Sequence, residues 1–219
     1  MSPAQKFVGV LHDFHDPAYA KDWSDRFVPT PPRQALFATM LGLLGQHLPP
    51  GGAVLELGTG PGYFAQALLE AFPAAVYQGL DFSAPMLALA AGRLGCFGSR
   101  VTLTRADFTA PDWTRAAPGP VQAIVSTWAL HDLGDPELTA SVYAACRGLL
   151  PPGGLLVNGD FVKPEGTPHD FEAGRFPVAR HLELLAAAGF GKAWCAGVWE
   201  TEREKPTTAQ NYACLAALA

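Results

Sequence analysis

Short apolar runs alternate with helical spacings along most of the chain. Ala53-Val54-Leu55 leads through Glu56 and Leu57 into Gly58, and Phe64, Leu68 and Phe72 then recur every fourth position. That pattern predicts a buried strand ending near Glu56 or Leu57, a tight turn and a helix. Ala75 to Leu80 reads as a second strand. Ser83, just ahead of Pro85, is placed to cap a helix from Ala84 to Leu94. Val101 to Thr104 is a third strand and Val121 to Ser126 a fourth. Asp135-Pro136-Glu137 opens a helix to about Leu150, and Gly154 to Asn158 is a fifth strand. Strands separated by helices predict parallel pairing with right-handed crossovers and helices on both faces of the sheet.

The rhythm changes at both ends. A helix from about Pro177 to Ala188 is stopped by Gly189, after which Lys192 to Trp199 and Asn211 to Leu218 form two strands flanking a polar segment. Residues 1–50 do not follow the α/β pattern. Phe14, Tyr19, Trp23 and Phe27 stand among Asp and His residues, followed by Pro29, Pro31 and Pro32 and an apolar helix from about Arg33 to Leu48. We read residues 1–50 as a helical lid or cap on a single domain, with residues 51–219 as its core.

Size and composition narrow the class. The chain has 219 residues, 49% of them hydrophobic, enough for one sizeable core. Its apolar runs are interrupted and its N-terminus lacks a basic stretch leading into an apolar one, so a cytoplasmic protein without membrane contact is expected. Lys and Arg number 15 against 20 Asp and Glu, a net charge of −5. No basic cluster is placed to track a phosphate backbone, so nucleic acid is not an expected partner. Cys96, Cys146, Cys195 and Cys214 form no C-x-x-C pair, and read as reduced structural thiols with no metal implied.

Gly58-Thr59-Gly60-Pro61-Gly62-Tyr63 is a glycine turn between a strand and a helix, the arrangement that lets backbone approach a nucleotide. The dinucleotide fingerprint G-x-G-x-x-G fits poorly, since Tyr63 occupies its third glycine. The chain instead carries E-x-G-x-G-x-G from Glu56 to Gly62, which resembles the first motif of class I S-adenosylmethionine-dependent methyltransferases. Asp81 lies 19 positions beyond Gly62, where a βαβ unit places the acid that holds ribose hydroxyls. The resemblance continues through Arg105-Ala106-Asp107-Phe108, Val121 to Leu133, Leu149 to Asn158 and Leu184 to Phe190, and so covers roughly residues 50–219. It implies a Rossmann-like, mostly parallel seven-stranded sheet with an antiparallel C-terminal strand beside the fifth. S-adenosylmethionine is the implied cofactor, with Glu56, Gly58, Thr59, Gly60, Gly62, Asp81, Phe82, Met86, Asp107, Phe108 and Thr127 as its contacts. Asp107 would accept from the adenine amino group and Phe108, Phe82 or Met86 would cover the base, although core burial also suits each apolar residue.

Methyl transfer from a sulfonium needs alignment, and a base only where the acceptor loses a proton. His131, on the loop after the fourth strand, is the candidate base, with Asp132 adjacent to tune it; capping or packing is the alternative role. Trp128 suits either a cation–π contact to the sulfonium or substrate, or a place in the core. Tyr19 and Trp23, with His12 and His15, are candidate acceptor contacts, and Asp160 and His169 fall on the rim after the fifth strand. Ser126-Thr127-Trp128-Ala129 stands where amide and DNA-amine methyltransferases carry an Asn/Asp-Pro-Pro-Tyr motif. The expected function is therefore metal-independent methylation of a small-molecule acceptor. A cofactor-binding sensor without turnover and a nicotinamide-dependent oxidoreductase are the alternatives.

Overall fold

Residues 12–27, 30–117, 119–167, 171, 173–199 and 211–219 are described by the computed structural model. His169, residues 1–11 of the cap and the polar segment at 200–210 lie outside the described residues. Seven strands, β1 (Ala53–Leu57), β2 (Val76–Asp81), β3 (Val101–Arg105), β4 (Ala123–Thr127), β5 (Leu155–Phe161), β6 (Lys192–Trp199) and β7 (Tyr212–Leu218), form one sheet in the order β3-β2-β1-β4-β5-β7-β6. β7 runs antiparallel to both neighbours and every other pair is parallel. The chain reverses its direction of travel across the sheet between β1 and β4, the switch point where parallel sheets open a crevice beyond their carboxyl ends.

Strand alternation sends successive residues to opposite faces, and each face meets a different set of helices. Val54, Ala123, Val125, Leu155 and Val157 pack with α2 (Pro31–His47), α3 (Tyr63–Ala71) and α4 (Ala84–Leu94). Leu55, Leu57, Ile124 and Leu156 face the other way, toward α5 (Pro136–Leu149) and α6 (Val178–Ala187). Within α2, Leu36, Met40 and Leu44 recur every fourth residue and are fully buried, each contributing about 1.5–3 kcal/mol by leaving water. That burial fixes α2 to the core, and α1 (Pro17–Arg26) precedes it in the cap.

Two boundaries differ from the sequence reading in ways that matter. Asp81 is the last residue of β2, paired with Arg105 of β3, so its carboxylate leaves from the strand's end. β5 runs on to Phe161 instead of stopping at Asn158, which places Asp160 inside the strand and not on the rim after it. The antiparallel ladder explains the extension: Gly159, Asp160 and Phe161 pair with Cys214, Ala213 and Tyr212 of β7.

Candidate active site

The turn between β1 and α3 is shaped by Gly58, Gly60 and Gly62, whose φ values of +71°, +53° and +82° belong to the left-handed region. A Cβ on Gly58 would stand 2.3 Å from the Ala129 Cβ, so this glycine lets the turn touch the loop after β4. A Cβ on Gly60 would meet nothing within 4 Å. The middle of the turn thus presents bare backbone to open space, a cradle that side chains would fill.

Asp81 ties that turn to the next one. Its Oδ2 accepts from Gly60 N–H at 2.8 Å and its Oδ1 from Ser83 N–H at 2.8 Å. Burial lifts its carboxyl to about 6; the N–H groups of Ser83 and Gly60 oppose the rise, Asp132 adds to it and His15 counters it. Beneath the turn Glu56 is fully buried, accepting from Tyr77 Oη at 2.5 Å and from Thr127 Oγ1 at 3.2 Å. Tyr77 Oη also lies 3.0 Å from Thr59 Oγ1. Burial raises Glu56 to about 8, against the bonds from Tyr77 and Thr127 and with help from Asp81. Glu56 therefore supports the turn from below through the two hydroxyls that donate to it. Room for this comes from Gly79, opposite Glu56 in the ladder, where a Cβ would stand 2.4 Å from Thr59 Oγ1.

Around the far side of the cradle, Phe82 meets the rings of His12 and His15 edge-on at 5.4 and 5.2 Å. Met86 is buried in the first turn of α4. Asp107 spends Oδ1 on Thr109, accepting from its N–H at 2.9 Å and its hydroxyl at 2.7 Å. Phe108 packs against Trp113 in the core below.

The other half of the candidate site is built on the loop after β4. A short 3-10 turn, Leu130–Leu133, carries His131. Its Nδ1 lies 2.7 Å from Asp160 Oδ1, its backbone N–H donates to Asp160 Oδ2 at 3.0 Å, and its Nε2 is 3.3 Å from Asp132 Oδ1. Burial alone would lower the imidazole, but Asp132, Asp160 and the bond to Asp160 outweigh it and Arg175 opposes them, leaving His131 raised to about 9. Asp160 is completely buried; that burial would raise it, yet His131 and His181 hold it below the usual carboxylate range. At neutral pH the pair is an imidazolium on a carboxylate.

Aromatic rings line the space beside this pair. Trp128, at φ +47°, meets Phe27, Phe37, Phe161 and Tyr212 at 5.5, 5.7, 6.3 and 5.6 Å. Its buried Nε1 has no hydrogen-bond partner among the described residues. Trp23 stacks on Phe27 at 4.9 Å, whereas Tyr19 is an exposed residue leaning on Phe14. Arg33 lies 4.2 Å over Phe27, and the buried Arg175 lies 4.3 Å over Phe161. A Cβ on Gly174 would stand 1.6 Å from the His131 carbonyl oxygen, so the chain delivering Arg175 is seated directly on the His131 turn.

The structure brings Glu56, the three glycines, Thr59, Asp81 and Thr127 together at one crevice, with His131 and Trp128 on its adjoining loop. Asp107 and Phe108 are engaged in their own turn and in the core. Sequence reasoning missed the bond between His131 and Asp160, as well as Tyr77 and Arg175. Polar Asn158 and Asp160 at alternate positions of an apolar strand were a legible signal of buried polar contacts; Tyr77 and Arg175 gave none. Among the described residues no group of three or more His, Cys, Asp or Glu is arranged to hold a metal ion, and no helix is long and apolar enough to cross a membrane.

Comparison with known proteins fits this geometry. The family described as "Methyltransferase domain" matches residues 54–154. An uncharacterized methyltransferase of Geobacillus thermodenitrificans is 34% identical over 179 residues, covering 72% of this chain and 79% of that one. Among solved structures, a SAM-dependent methyltransferase from Aquifex aeolicus shares the fold with a TM-score of 0.63 and 19% identity, over 93% of this chain and 99% of that one. The structure described as PigF with SAH has a TM-score of 0.69 and 17% identity over 94% of this chain, which spans only 60% of PigF's length.

Proposed function

The chain belongs to the class I methyltransferase family, and on that premise we propose that it uses S-adenosylmethionine to methylate a small-molecule acceptor without a metal ion. When bound, that cofactor supplies an electrophilic methyl group on a sulfonium. The bare backbone at Gly60 and the Asp81 carboxylate at its side fit the methionine and ribose portions of such a ligand. The reading is carried above all by His131, which stands on the loop touching Gly58 and has a buried carboxylate on one ring nitrogen.

The chain's own residues account for the remaining steps. Trp128, Phe27 and Phe161 exclude water and favour an apolar, planar acceptor. Asp160 fixes the His131 ring through Nδ1, and Nε2, beside Asp132 at 3.3 Å, is the nitrogen that takes the acceptor's proton. Because Asp132 and Asp160 keep the imidazole charged, neutral His131 becomes abundant only as pH approaches 9. Turnover that depends on it should therefore climb with pH until about that point. Four unpaired cysteines support work in a reducing compartment such as the cytoplasm.

Calorimetry with S-adenosylmethionine and S-adenosylhomocysteine, followed by turnover on a metabolite panel with chelator present, tests the proposal. Asp81→Ala should weaken cofactor binding by about 1–3 kcal/mol through the lost hydrogen-bonded acid. His131→Gln should lower turnover by about 10²–10⁴-fold while cofactor affinity stays unchanged. Binding without turnover on any acceptor would favour a sensor, and a chelator-sensitive rate would remove the metal-independent reading.

A further inference from the structure

We propose that Arg93 is a positioning residue for the cofactor turn, holding Pro61 and Tyr63 together so that the backbone at Gly60 keeps its ligand-ready shape. The proposal rests on the reading of that turn as the S-adenosylmethionine cradle. Arg93 lies in the last turn of α4, where its charge also suits the negative end of the helix. From there Nε donates to the Pro61 carbonyl at 2.8 Å, the guanidinium carbon stands 3.7 Å over the Tyr63 ring, and Nη1 reaches Gln66 Oε1 at 3.5 Å. Tyr63 and Gln66 lie on one face at the start of α3, so a single side chain spans the turn and the helix it opens.

The turn calls for support from outside itself. Gly58, Gly60 and Gly62 all hold positive φ, and glycine backbone has the most freedom to lose on ordering. Two bonds fix part of it: Gly60 N–H donates to Asp81, and Gly62 N–H donates to the Thr59 carbonyl at 3.1 Å. The Pro61 carbonyl between those two glycines is held by Arg93. Close packing brings α4 within reach, since a Cβ on Gly62 would stand 3.4 Å from Ala90 and from Leu94 Cδ1. Ala90, Arg93 and Leu94 share a face of α4, so the turn rests on two apolar residues and one cation.

A guanidinium suits this place because it donates in a fixed direction to the carbonyl while covering the ring, a pairing that the compact charge of a lysine reproduces only in part. Tyr63 carries the constraint further, its hydroxyl donating to the Ser24 carbonyl of the cap. A cradle shaped in advance loses less freedom when the ligand arrives, and that difference appears as affinity.

The experiment is calorimetry of S-adenosylhomocysteine binding to the full chain, with amide exchange at Gly60 and Gly62 followed by NMR in ligand-free protein. Arg93→Met keeps an apolar stem but removes the charge and the donors. It should weaken S-adenosylhomocysteine about tenfold and quicken exchange at both glycines. Arg93→Lys should recover part of the affinity. Arg100→Met is the control, because Arg100 donates at 3.4 Å to the carbonyls of Leu69, Phe72 and Ala75, at and beyond the far end of α3. It should cost stability yet leave the affinity within about twofold of wild type. Wild-type affinity or wild-type exchange in folded Arg93→Met overturns the proposal, as does an equal loss of affinity in Arg93→Met and Arg100→Met. The cofactor reading fails separately, if the wild-type protein itself binds no S-adenosylhomocysteine.

Discussion

His131 carries a proton that burial alone would remove, because two carboxylates face its ring. Its affinity is raised from the ordinary 6.5 to about 9, so its stabilising contribution is complete below pH 6.5 and is lost as pH rises through 9. Glu56, raised from 4.5 to about 8, works in the same direction at lower pH. His181 works oppositely, since its depressed affinity costs stability as pH falls from 6.5 toward 4. Melting temperature should therefore decline between pH 6.5 and 9, with a shallower decline in His131→Gln. Gly58→Ala should be harsher than Gly60→Ala, because both need positive φ but only the first meets a neighbour, at 2.3 Å. We expect a loss of about 2–4 kcal/mol at Gly58, read by denaturant unfolding. The glycines, Asp81 and His131 were legible in the sequence because local spacing sets their turns. The His131–Asp160 bond was not, because it joins residues 29 positions apart across two strands whose register depends on the rest of the sheet.

Among the elements, α4 is the best specified by its own residues. Ser83 caps it as the sequence indicates, its Oγ accepting from Met86 N–H at 3.1 Å. The same hydroxyl donates to the Phe14 carbonyl at 2.5 Å, which ties the cap to the start of α4. Ser83→Ala should cost about 0.5–2 kcal/mol as a lost cap and should also raise protease sensitivity around Phe14, measurable by limited proteolysis. A Ser83→Ala protein with unaltered cleavage would show that the tie is inconsequential. β5 was harder to read, since Gly159 and Asp160 look like the end of a strand. Only the antiparallel neighbour β7, contributed from the far end of the chain, extends it to Phe161. That extension places Asp160 under His131.

At the scale of the molecule, the two faces of the sheet divide the work. The α2–α4 face holds Glu56, Tyr77 and Thr127 beneath the glycine turn, and the α5–α6 face holds Asp160, which bonds His131, together with Asn158, Tyr143 and His181. Alternation along single strands made this partition, and it made the α/β order readable from apolar spacing. The cap's placement was not readable, because aromatic residues near Pro29 carry no periodicity that says which surface they meet. Two hydrogen bonds help to hold the cap: Ser83 Oγ donating to the Phe14 carbonyl, and Tyr63 Oη donating to the Ser24 carbonyl at 3.0 Å. One anchor lies at the start of α3 and the other at the start of α4, so the turns after β1 and β2 are latched by one roof. We expect ligand exchange at the proposed cofactor site to require loosening of these contacts, so that cutting one of them speeds product release. Tyr63→Phe would loosen one latch; stopped-flow release of S-adenosylhomocysteine should quicken in that variant, and an unchanged rate would show that the roof does not gate release.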